Sequence, residues 1–182
     1  MYKIPLRDEL LTEWKLPLLT DYIKKWAAIT PENPALVSAD TGKTYTYQEF
    51  DENITLYALR LKKMGIKKGD IVVAQWLAWP EFYMLTYACA SVGAVMTPLD
   101  VRLMAHEVIR DMKKIDPTAF FCLGNTPMRD FRDLVQEVQQ AVPSIKHYVQ
   151  LTPGGKQEDF LAGCQNFEEL FSPAALEELK TD

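Results

Sequence analysis

The residues that most often carry acid–base or nucleophilic chemistry are few in this sequence and stand in no catalytic pattern. His106 is expected on a helix beside Glu107 and away from its apolar stripe, which favours a solvated side chain over a general base. His147 lies in a β-prone segment, and Ser38 and Ser91 have no GxSxG sequence around them. The sequence therefore predicts no catalytic residue in this chain.

A phosphate site would need a Gly-rich turn that follows a strand and opens onto a helix, because the backbone N–H groups of such a turn hold the anion. The turns after the first three predicted strands read Leu77-Ala78-Trp79-Pro80, Pro98-Leu99-Asp100-Val101-Arg102 and Gly124-Asn125-Thr126-Pro127. None of them is GxGxxG or GxxxxGK[ST]. A nucleotide site of Rossmann or P-loop type is not predicted.

Cysteine usage and charge exclude other classes of protein. Cys89, Cys122 and Cys164 are an odd number of thiols without CxxC spacing, which predicts a reducing cytoplasm, no disulfide framework and no zinc site. The formal net charge is -5, with acidic and basic residues interspersed. Because a phosphate backbone attracts a basic stripe, nucleic acid is not a predicted partner.

No part of the sequence is typical of a membrane segment. The first eight residues are charged and contain Pro5, unlike the apolar region of a signal peptide. The most apolar stretch, from Phe82 to Val101, is interrupted by Gly93 and Pro98. We therefore expect no transmembrane segment and a cytoplasmic location.

The first predicted elements are a helix, a hairpin and a second helix. Apolar residues at four-residue spacing predict a surface helix that packs on the core and ends near Thr30; they are Leu18, Tyr22 and Trp26, with Leu19, Ile23 and Ala27 beside them. A β-hairpin is predicted over Ala35 to Thr46, with its turn at Asp40-Thr41-Gly42-Lys43. Thr46 and Glu49 form a capping box for a helix from about Tyr47 to Met64.

Short apolar strands and helices then alternate, which is typical of parallel strands joined by crossover helices. The predicted strands are Ile71–Trp76, Gly93–Thr97, Thr118–Leu123 and Ile145–Leu151. The predicted helices between them are Pro80–Val92, a stripe from Met104 to Ile115, and a helix that opens at Thr126-Pro127 and carries Met128 and Phe131. The fold class predicted is α/β: a partial doubly wound, mainly parallel sheet with helices on both faces, preceded by a β-hairpin and an amino-terminal helix.

Two further expectations concern the Pro80–Val92 helix and the residues after Leu151. The Pro80–Val92 helix is apolar nearly all round, so we expect it between the sheet and another layer. Residues 152–182 read as a loop followed by short polar helices at Phe167–Leu170 and Ala174–Leu179. We therefore expect an α/β unit over residues 1–151 and a peripheral segment over residues 152–182.

Three segments, in this order and at this spacing, resemble the opening of the adenylate-forming superfamily of acyl-CoA synthetases, aryl-CoA ligases, luciferases and peptide-synthetase adenylation domains. The segments are TYTYQEF at 44–50, LKKMGIKKGDIV at 61–72 and ACASVGAVMTPLD at 88–100, the last followed by Arg102-Leu103 and Glu107-Val108. The resemblance covers about Leu18 to Gly124, with a looser fit to Leu151.

The resemblance implies an ATP-dependent carboxylate–CoA ligase that uses ATP, Mg and CoA and activates a carboxylic acid, whether fatty, aryl or alicyclic. The family holds ATP with a Ser/Thr/Gly-rich loop ending in Pro-Lys, an acidic residue on the ribose and a lysine on a mobile carboxyl-terminal domain. This sequence contains none of them, and it ends at Asp182, about where the loop is expected to begin. It thus resembles an amino-terminal fragment of such a ligase, inactive alone and requiring no cofactor.

The resemblance also suggests one pair of binding residues. In relatives, the region after the strand equivalent to Thr118–Leu123 can approach the nucleotide of CoA, and Arg129 and Arg132 follow that strand here. The alternative is that both arginines are exposed on a helix that also carries Asp130 and Asp133.

Two other readings stay open from the sequence. One is a self-contained flavodoxin-like binding or regulatory module. If it were of the receiver type, it would need clustered acidic residues at strand ends, so Asp70 and Asp100 would have to meet in the fold. The other is a non-catalytic interaction module. In either the fragment or the interaction reading, surface around the Pro80–Val92 helix is expected to drive self-association.

Overall fold

The structure of the chain is a computed structural model that describes residues 17–39 and 41–181. Its helices are α1 (Leu19–Ile29), α2 (Tyr47–Lys63), α3 (Pro80–Val92), α4 (Ala105–Ile115), α5 (Arg132–Ala141), α6 (Phe167–Leu170) and α7 (Pro173–Glu177). Its strands are β1 (Pro34–Val37), β2 (Thr44–Thr46), β3 (Ile71–Ala74), β4 (Val95–Pro98), β5 (Ala119–Leu123), β6 (His147–Leu151) and β7 (Cys164–Asn166). Expectations for residues 1–16, Asp40 and Asp182 lie outside the described residues.

Five of the strands form one parallel sheet in the order β4-β3-β5-β6-β7. Counted from β3, this order is 2-1-3-4-5, which is the order of flavodoxin-like doubly wound folds. The chain reverses its direction of winding between β3 and β5, so the crevice expected to bind ligands lies at the carboxyl ends of those two strands. The predicted parallel sheet is confirmed, as is the antiparallel hairpin of β1 and β2.

Helices cover both faces of the sheet, and β5 shows how the two layers are separated. All five residues of β5 are buried. Because side chains alternate across a strand, Phe121 packs with α2 and α3 on one face, whereas Phe120 packs with α4 and α5 on the other. The sheet therefore has two hydrophobic cores, as a doubly wound fold requires.

Local sequence signals set the ends of the helices that flank the crevice. At the start of α2, Thr46 Oγ1 accepts from the Glu49 amide at 3.2 Å and Glu49 Oε2 accepts from the Thr46 amide at 2.9 Å. Pro80 begins α3, and Gly93 ends it with a φ of 76°. A cap of this kind stabilises a helix by about 1 kcal/mol, because it pairs N–H groups that have no partner within the helix.

Helix α3 is covered on its outer side, as its apolar composition predicts. Met84, Leu85 and Ala88 are buried. Helix α2 packs along α3, and the rings of Phe50 and Tyr87 meet edge to face at 5.6 Å. The layer that the sequence requires over α3 is therefore α2, with α1 beside it.

Helix α1 packs on the core with only part of its predicted apolar stripe. Leu18, Tyr22 and Trp26 are 70%, 51% and 43% exposed, whereas Thr20 and Ile23 are buried. The predicted packing on the core is confirmed for Ile23 and wrong for Leu18, Tyr22 and Trp26. Apolar residues occupy two adjacent rows of this helix, and the row containing Ile23 is the one that faces α2.

The third crossover helix begins later than predicted. Helix α5 starts at Arg132, and residues 125–130 form a closed loop instead of a first turn. Thr126 donates its hydroxyl to the carbonyl of Arg129 at 2.9 Å, and Met128 is 61% exposed. The Thr-Pro start signal is overridden because the Phe131 amide bonds to the carbonyl of Gly124, which holds the loop against the end of β5.

Residues 152–181 are not peripheral, contrary to the expectation for the segment 152–182. Strand β7 extends the sheet beside β6, and Phe167, Phe171 and Leu179 are buried. The Phe167 ring contacts Trp76 at 4.9 Å, and Phe171 lies 4.6 Å from Tyr57. Two aromatic residues four positions apart thus anchor this polar segment in the core.

Candidate functional site at the carboxyl edge of the sheet

The floor of the crevice is formed by side chains that follow β3. Gln75 donates its amide to the carbonyl of Asp100 at 3.0 Å, and Trp76 donates its indole N–H to the carbonyl of Cys122 at 3.1 Å. Both residues are buried. Strands β3, β4 and β5 are therefore tied together at their carboxyl ends, and the crevice has a rigid base.

One wall of the crevice depends on a glycine. A Cβ on Gly124, which follows β5, would overlap Thr152 Oγ1 and the Gln150 amide nitrogen. The fully buried Gln150 donates to Thr152 Oγ1 at 2.8 Å and to the carbonyl of Asp159 at 2.9 Å, and its carbonyl oxygen accepts from the Leu161 amide at 3.0 Å. Gln150 thus fixes the loop after β6 against Gly124.

A shallow cavity of about 330 Å³ lies between the loops that follow β5 and β6. Residues 125–127 line one side, and residues 152–155 with Asp159 line the other. Gly154 has a φ of 65°, but the turn leads into a 3₁₀ turn and not into a helix. The glycine turn after β6 therefore lacks the helix start that would direct several N–H groups at a phosphate.

The two arginines predicted to bind a nucleotide do not line this cavity, but Arg129 contacts Thr126, which does. Arg132, the first residue of α5, pairs with Asp130 through Nη2 and Oδ2 at 2.7 Å and through Nε and Oδ1 at 3.0 Å. The hydrogen bond from Arg132 lowers the pKa of the Asp130 carboxyl from its ordinary value. The Nε and Nη2 groups of Arg132 are thus already bonded to Asp130.

Arg129 has weaker internal contacts. Its guanidinium lies 5.1 Å from the centre of the Phe131 ring, and its Nη1 approaches the carbonyl of Leu103 at 3.4 Å. Both arginines are half-buried, and Arg129 belongs to the loop before α5, so the alternative of two exposed residues on one helix is wrong. Arg129 keeps more of its donors for an anion than Arg132 does.

A third arginine, Arg102, lies in the loop that follows β4. Arg102 forms a bidentate pair with Asp100, with 2.6 Å between Nη2 and Oδ2. Hydrogen bonds from the Arg102 side chain and backbone lower the pKa of Asp100 to about 2. Arg102 belongs to the loop that follows β4, and Arg129 reaches the same loop through the Leu103 carbonyl.

The other candidate catalytic residues have structural roles or lie elsewhere. Ser91 donates its hydroxyl to the carbonyl of Tyr87 at 3.0 Å, and Ser38 Oγ accepts from the Thr41 amide. Burial raises the pKa of the Cys89 thiol to about 12, which opposes nucleophilic reactivity. His106 is exposed, and His147 begins β6 at the end of the sheet opposite the crevice.

Asp70 and Asp100 do not meet. Asp70 precedes β3 and accepts from the Lys67 amide at 2.9 Å, whereas Asp100 follows β4. Because β3 and β4 are parallel and in register, these carboxyl groups lie at opposite ends of the sheet. The acidic cluster required by a receiver-type module is not formed.

Neither a metal site nor a membrane span is found in the part of the chain that the structure describes. Over residues 17–39 and 41–181, no three His, Cys, Asp or Glu side chains are grouped so that they could hold a metal ion. Over the same residues, no helix combines the length and the apolar character needed to cross a bilayer.

Strand order, two-sided layering and a crevice at the switch point define a doubly wound α/β protein. The sequence profile described as AMP-binding enzyme matches residues 23–177 of the chain. The chain therefore belongs to the AMP-binding enzyme family.

Curated relatives agree with this assignment. The chain is similar to the medium-chain fatty-acid–CoA ligase of Escherichia coli, with 29% identity over 138 residues that make up 75% of this chain and 24% of the relative. It is also similar to 4-coumarate–CoA ligase 3 of Oryza sativa subsp. japonica, with 33% identity over 92 residues, 50% of this chain and 17% of the relative. The chain thus spans about a quarter, or less, of the length of these relatives.

Solved structures show the same fold. The acetoacetyl-CoA synthetase from Streptomyces lividans superposes with a TM-score of 0.72 at 22% identity, covering 84% of this chain and 24% of that one. The coronafacic acid ligase from Pectobacterium brasiliense gives a TM-score of 0.70 at 24% identity, covering 84% of this chain and 29% of that one. The fold of the described residues is therefore that of adenylate-forming ligases.

The residues that shape the crevice most carry no motif in the sequence. Gly124 belongs to a predicted turn, and Gln150 belongs to a predicted strand. The available signal was a lone polar residue within the apolar run Tyr148-Val149-Gln150-Leu151. A buried polar side chain in such a run needs hydrogen-bond partners, and here it finds them in the following loop.

Proposed function

We propose that this chain is the amino-terminal part of an ATP-dependent carboxylate–CoA ligase. In such an enzyme a carboxylate attacks the α-phosphate of Mg-ATP, which releases pyrophosphate and forms an acyl-adenylate; the thiol of CoA then displaces AMP. The observation that carries the proposal is the family match over residues 23–177. A carboxylic acid and CoA are the proposed substrates of the whole protein, supported by relatives whose names describe CoA ligases.

The isolated chain is proposed to be inactive and to need no cofactor. Among the described residues, the loops at the carboxyl edge offer the phosphates of ATP no Gly-rich turn that opens onto a helix. The proposed contribution of this chain is structural: Gln75 and Trp76 hold the strand ends, and Gln150 fixes the neighbouring loop. The subdomain is proposed to include β7 and the buried aromatic residues after it, because they complete the sheet and its core.

The nucleotide of CoA is the proposed ligand of Arg129 and Arg132. The support is their position at the end of β5, where Arg129 has guanidinium donors to spare and the carboxylate of Asp130 holds Arg132 in place. A guanidinium can donate two parallel hydrogen bonds to a phosphate, which a lysine cannot match. The loop of residues 125–130 would position Arg129, and α5 would position Arg132.

Two further features of the whole protein are proposed. A cytoplasmic location is supported by the three free cysteines. Self-association of the chain is supported by apolar side chains on α1, where Leu18, Leu19, Tyr22 and Ile29 are each at least half exposed. The contact surface is expected around helix α3; α2 covers that helix, and α1 beside it supplies the exposed apolar residues.

A chimera tests the proposed function. The matched part of this chain replaces the equivalent segment of the Escherichia coli medium-chain fatty-acid–CoA ligase, and ATP–pyrophosphate exchange is measured with a fatty acid. We expect exchange by the chimera and none by the 182-residue chain. A matched chimera carrying Gly124→Val controls for the crevice wall and is expected to lose exchange. A folded chimera without exchange would contradict the proposal.

A further inference from the structure

A second cavity lies apart from the arginines of the crevice. It has a volume of about 500 Å³ and lies between β2, the first turn of α3 and residues 167–173. An adjoining cavity of about 450 Å³ shares four lining residues with it: Lys43, Tyr45, Glu81 and Glu168. The two adjoining cavities are called the groove below. Neither Arg129 nor Arg132 lines it, and the proposed ligase chemistry gives it no role.

The carboxylates of the groove have no basic partner among the residues that the structure describes. Glu81 and Glu168 form no ion pair and no side-chain hydrogen bond within residues 17–39 and 41–181. They lie in the first turns of α3 and α6, where the helix N-terminus favours a negative charge. Glu49 also lines the larger cavity, but its carboxylate is used by the capping box.

Lys43 is the basic side chain of the groove, and an aromatic ring holds it. Its Nζ lies 4.4 Å from the centre of the Tyr45 ring. A cation is attracted to that position by the ring face, so the lysine does not neutralise Glu81 or Glu168 through an ion pair. The lining of the larger cavity therefore carries more negative than positive charge.

Tyr57 supplies an observation that is independent of the acidic residues. It is only 4% exposed, lines the larger cavity, and its hydroxyl has no hydrogen-bond partner among the described residues. Its ring is fixed by Phe171 at 4.6 Å and Phe167 at 6.0 Å. The hydroxyl is therefore free to bond to a ligand in the cavity.

The field at Tyr57 shows which ligand charge the cavity favours. Burial, then the charge of Glu81, then Tyr45 raise the pKa of the Tyr57 hydroxyl well above its ordinary value. Negative charge is therefore unfavourable at this point. Burial opposes a charge of either sign, whereas Glu81 repels an anion and attracts a cation.

We propose that this cavity binds a small organic cation, a protonated amine or guanidinium carried on an apolar body. The cationic head would lie between Glu81 and Glu168 and donate a hydrogen bond to the Tyr57 hydroxyl, while the apolar body would pack on the aromatic rings. A metal ion fits less well, because no group of three metal-ligating side chains is found in the described part of the chain.

A charge series on the unmodified 182-residue chain tests the proposal. Phenethylammonium, 2-phenylethanol and phenylacetate share an aromatic body and differ in charge, and each is titrated while chemical shifts are followed by NMR. We expect saturable binding of phenethylammonium, at least about tenfold tighter than 2-phenylethanol, and no saturation by phenylacetate. Equal binding of the cation and the neutral alcohol, or no saturable binding of the cation, would overturn the proposal.

Near-isosteric variants locate the binding. We expect Glu81→Gln, Glu168→Gln and Tyr57→Phe each to weaken phenethylammonium binding severalfold, and Glu137→Gln on the exposed face of α5 to leave it unchanged. Thermal unfolding verifies that each variant is folded. If folded Glu81→Gln and Glu168→Gln bind as Glu137→Gln does, the assignment is wrong. The charge series decides the matter if a variant does not fold.

Discussion

Gly124 and Thr152 approach so closely at the carboxyl ends of β5 and β6 that a methyl group on Gly124 would overlap the Thr152 hydroxyl. The contact joins the two loops that flank the shallow cavity of the crevice. Gln150 lies below both residues and bonds to Thr152 and to the loop that follows. The wall of the crevice is therefore set by backbone proximity and one buried amide.

Replacing Gly124 with alanine should destabilise the fold. Overlap with Thr152 and Gln150 forces neighbouring atoms apart, and overpacking of this kind costs about 1–3 kcal/mol. Urea unfolding of Gly124→Ala measures the loss. Thr152→Ala in the same chain removes one of the two overlaps and should recover part of the stability. If the two substitutions are simply additive, the proposed clash is absent.

Cys89 should make the stability of the chain fall at alkaline pH. Burial raises the pKa of its thiol to about 12 in the folded state, whereas an unfolded thiol titrates near 8.5. The folded state thus favours the neutral thiol. Its contribution to the free energy of unfolding is fully present below the thiol pKa of the unfolded state, and it is lost as the pH rises toward the thiol pKa of the folded state. Cys89→Ala should therefore show a smaller loss between about pH 9 and pH 11.

Urea unfolding at several pH values measures that difference. Met84→Leu is the matched control, because it changes a buried, non-titrating residue in the same helix. Its stability should depend on pH as that of the unmodified chain does. An alkaline slope in Cys89→Ala equal to the slope of the control would contradict the prediction.

The two proposed nucleotide arginines should differ in how freely they bind. Arg129→Met should weaken the binding of CoA to the chain severalfold, whereas Asp130→Asn should strengthen it because Arg132 loses its carboxylate partner. Titration calorimetry with CoA, and with pantetheine as the ligand without the nucleotide, measures both effects. Arg110→Met is the control, since Arg110 pairs with Asp111 on α4 away from the crevice.

Raising the salt concentration should weaken CoA binding, because the contacts are between exposed charges and phosphates. CoA affinity that is identical in Arg129→Met and Arg110→Met would remove Arg129 from the site. Unchanged affinity in Asp130→Asn would show that the ion pair does not compete with the nucleotide.

Exposed apolar residues on α1 should drive weak self-association. We expect sedimentation over a wide range of concentration to show dimers that dissociate on dilution, since one short helix covers less than the roughly 800 Å² per partner of a standard interface. Leu19→Gln with Ile29→Gln should shift the chain to monomer. Val37→Thr, at an equally exposed apolar residue of β1, is the control. A chain that is monomeric throughout would refute this surface.

Elements with complete local signals could be predicted from the sequence. Helix α2 has both halves of its capping box in Thr46 and Glu49, and α3 begins at Pro80 and ends before Gly93. In β5, an apolar run without a polar residue predicted burial on both faces. These signals lie within a few residues of the structure that they define, so no distant contact is needed to interpret them.

Features decided by distant contacts could not be predicted. The sequence Cys164-Gln165-Asn166 has no strand pattern, and it becomes β7 because β6 offers an unpaired edge. The rows of α1 that contain Tyr22 and Ile23 are both apolar, and only the position of α2 decides which one is buried. The cavity at Tyr57 joins residues from β2, α3 and the segment 167–173, which no local motif connects.

Titration of the 182-residue chain with Mg-ATP tests the central claim most directly. The claim is that these residues form the sheet of an AMP-binding enzyme without the cradle that holds the phosphates of ATP. Calorimetry should give no saturable heat with the chain, while the Escherichia coli medium-chain fatty-acid–CoA ligase provides the positive control. Saturable heat at micromolar Mg-ATP that disappears in an excess of AMP would contradict the claim.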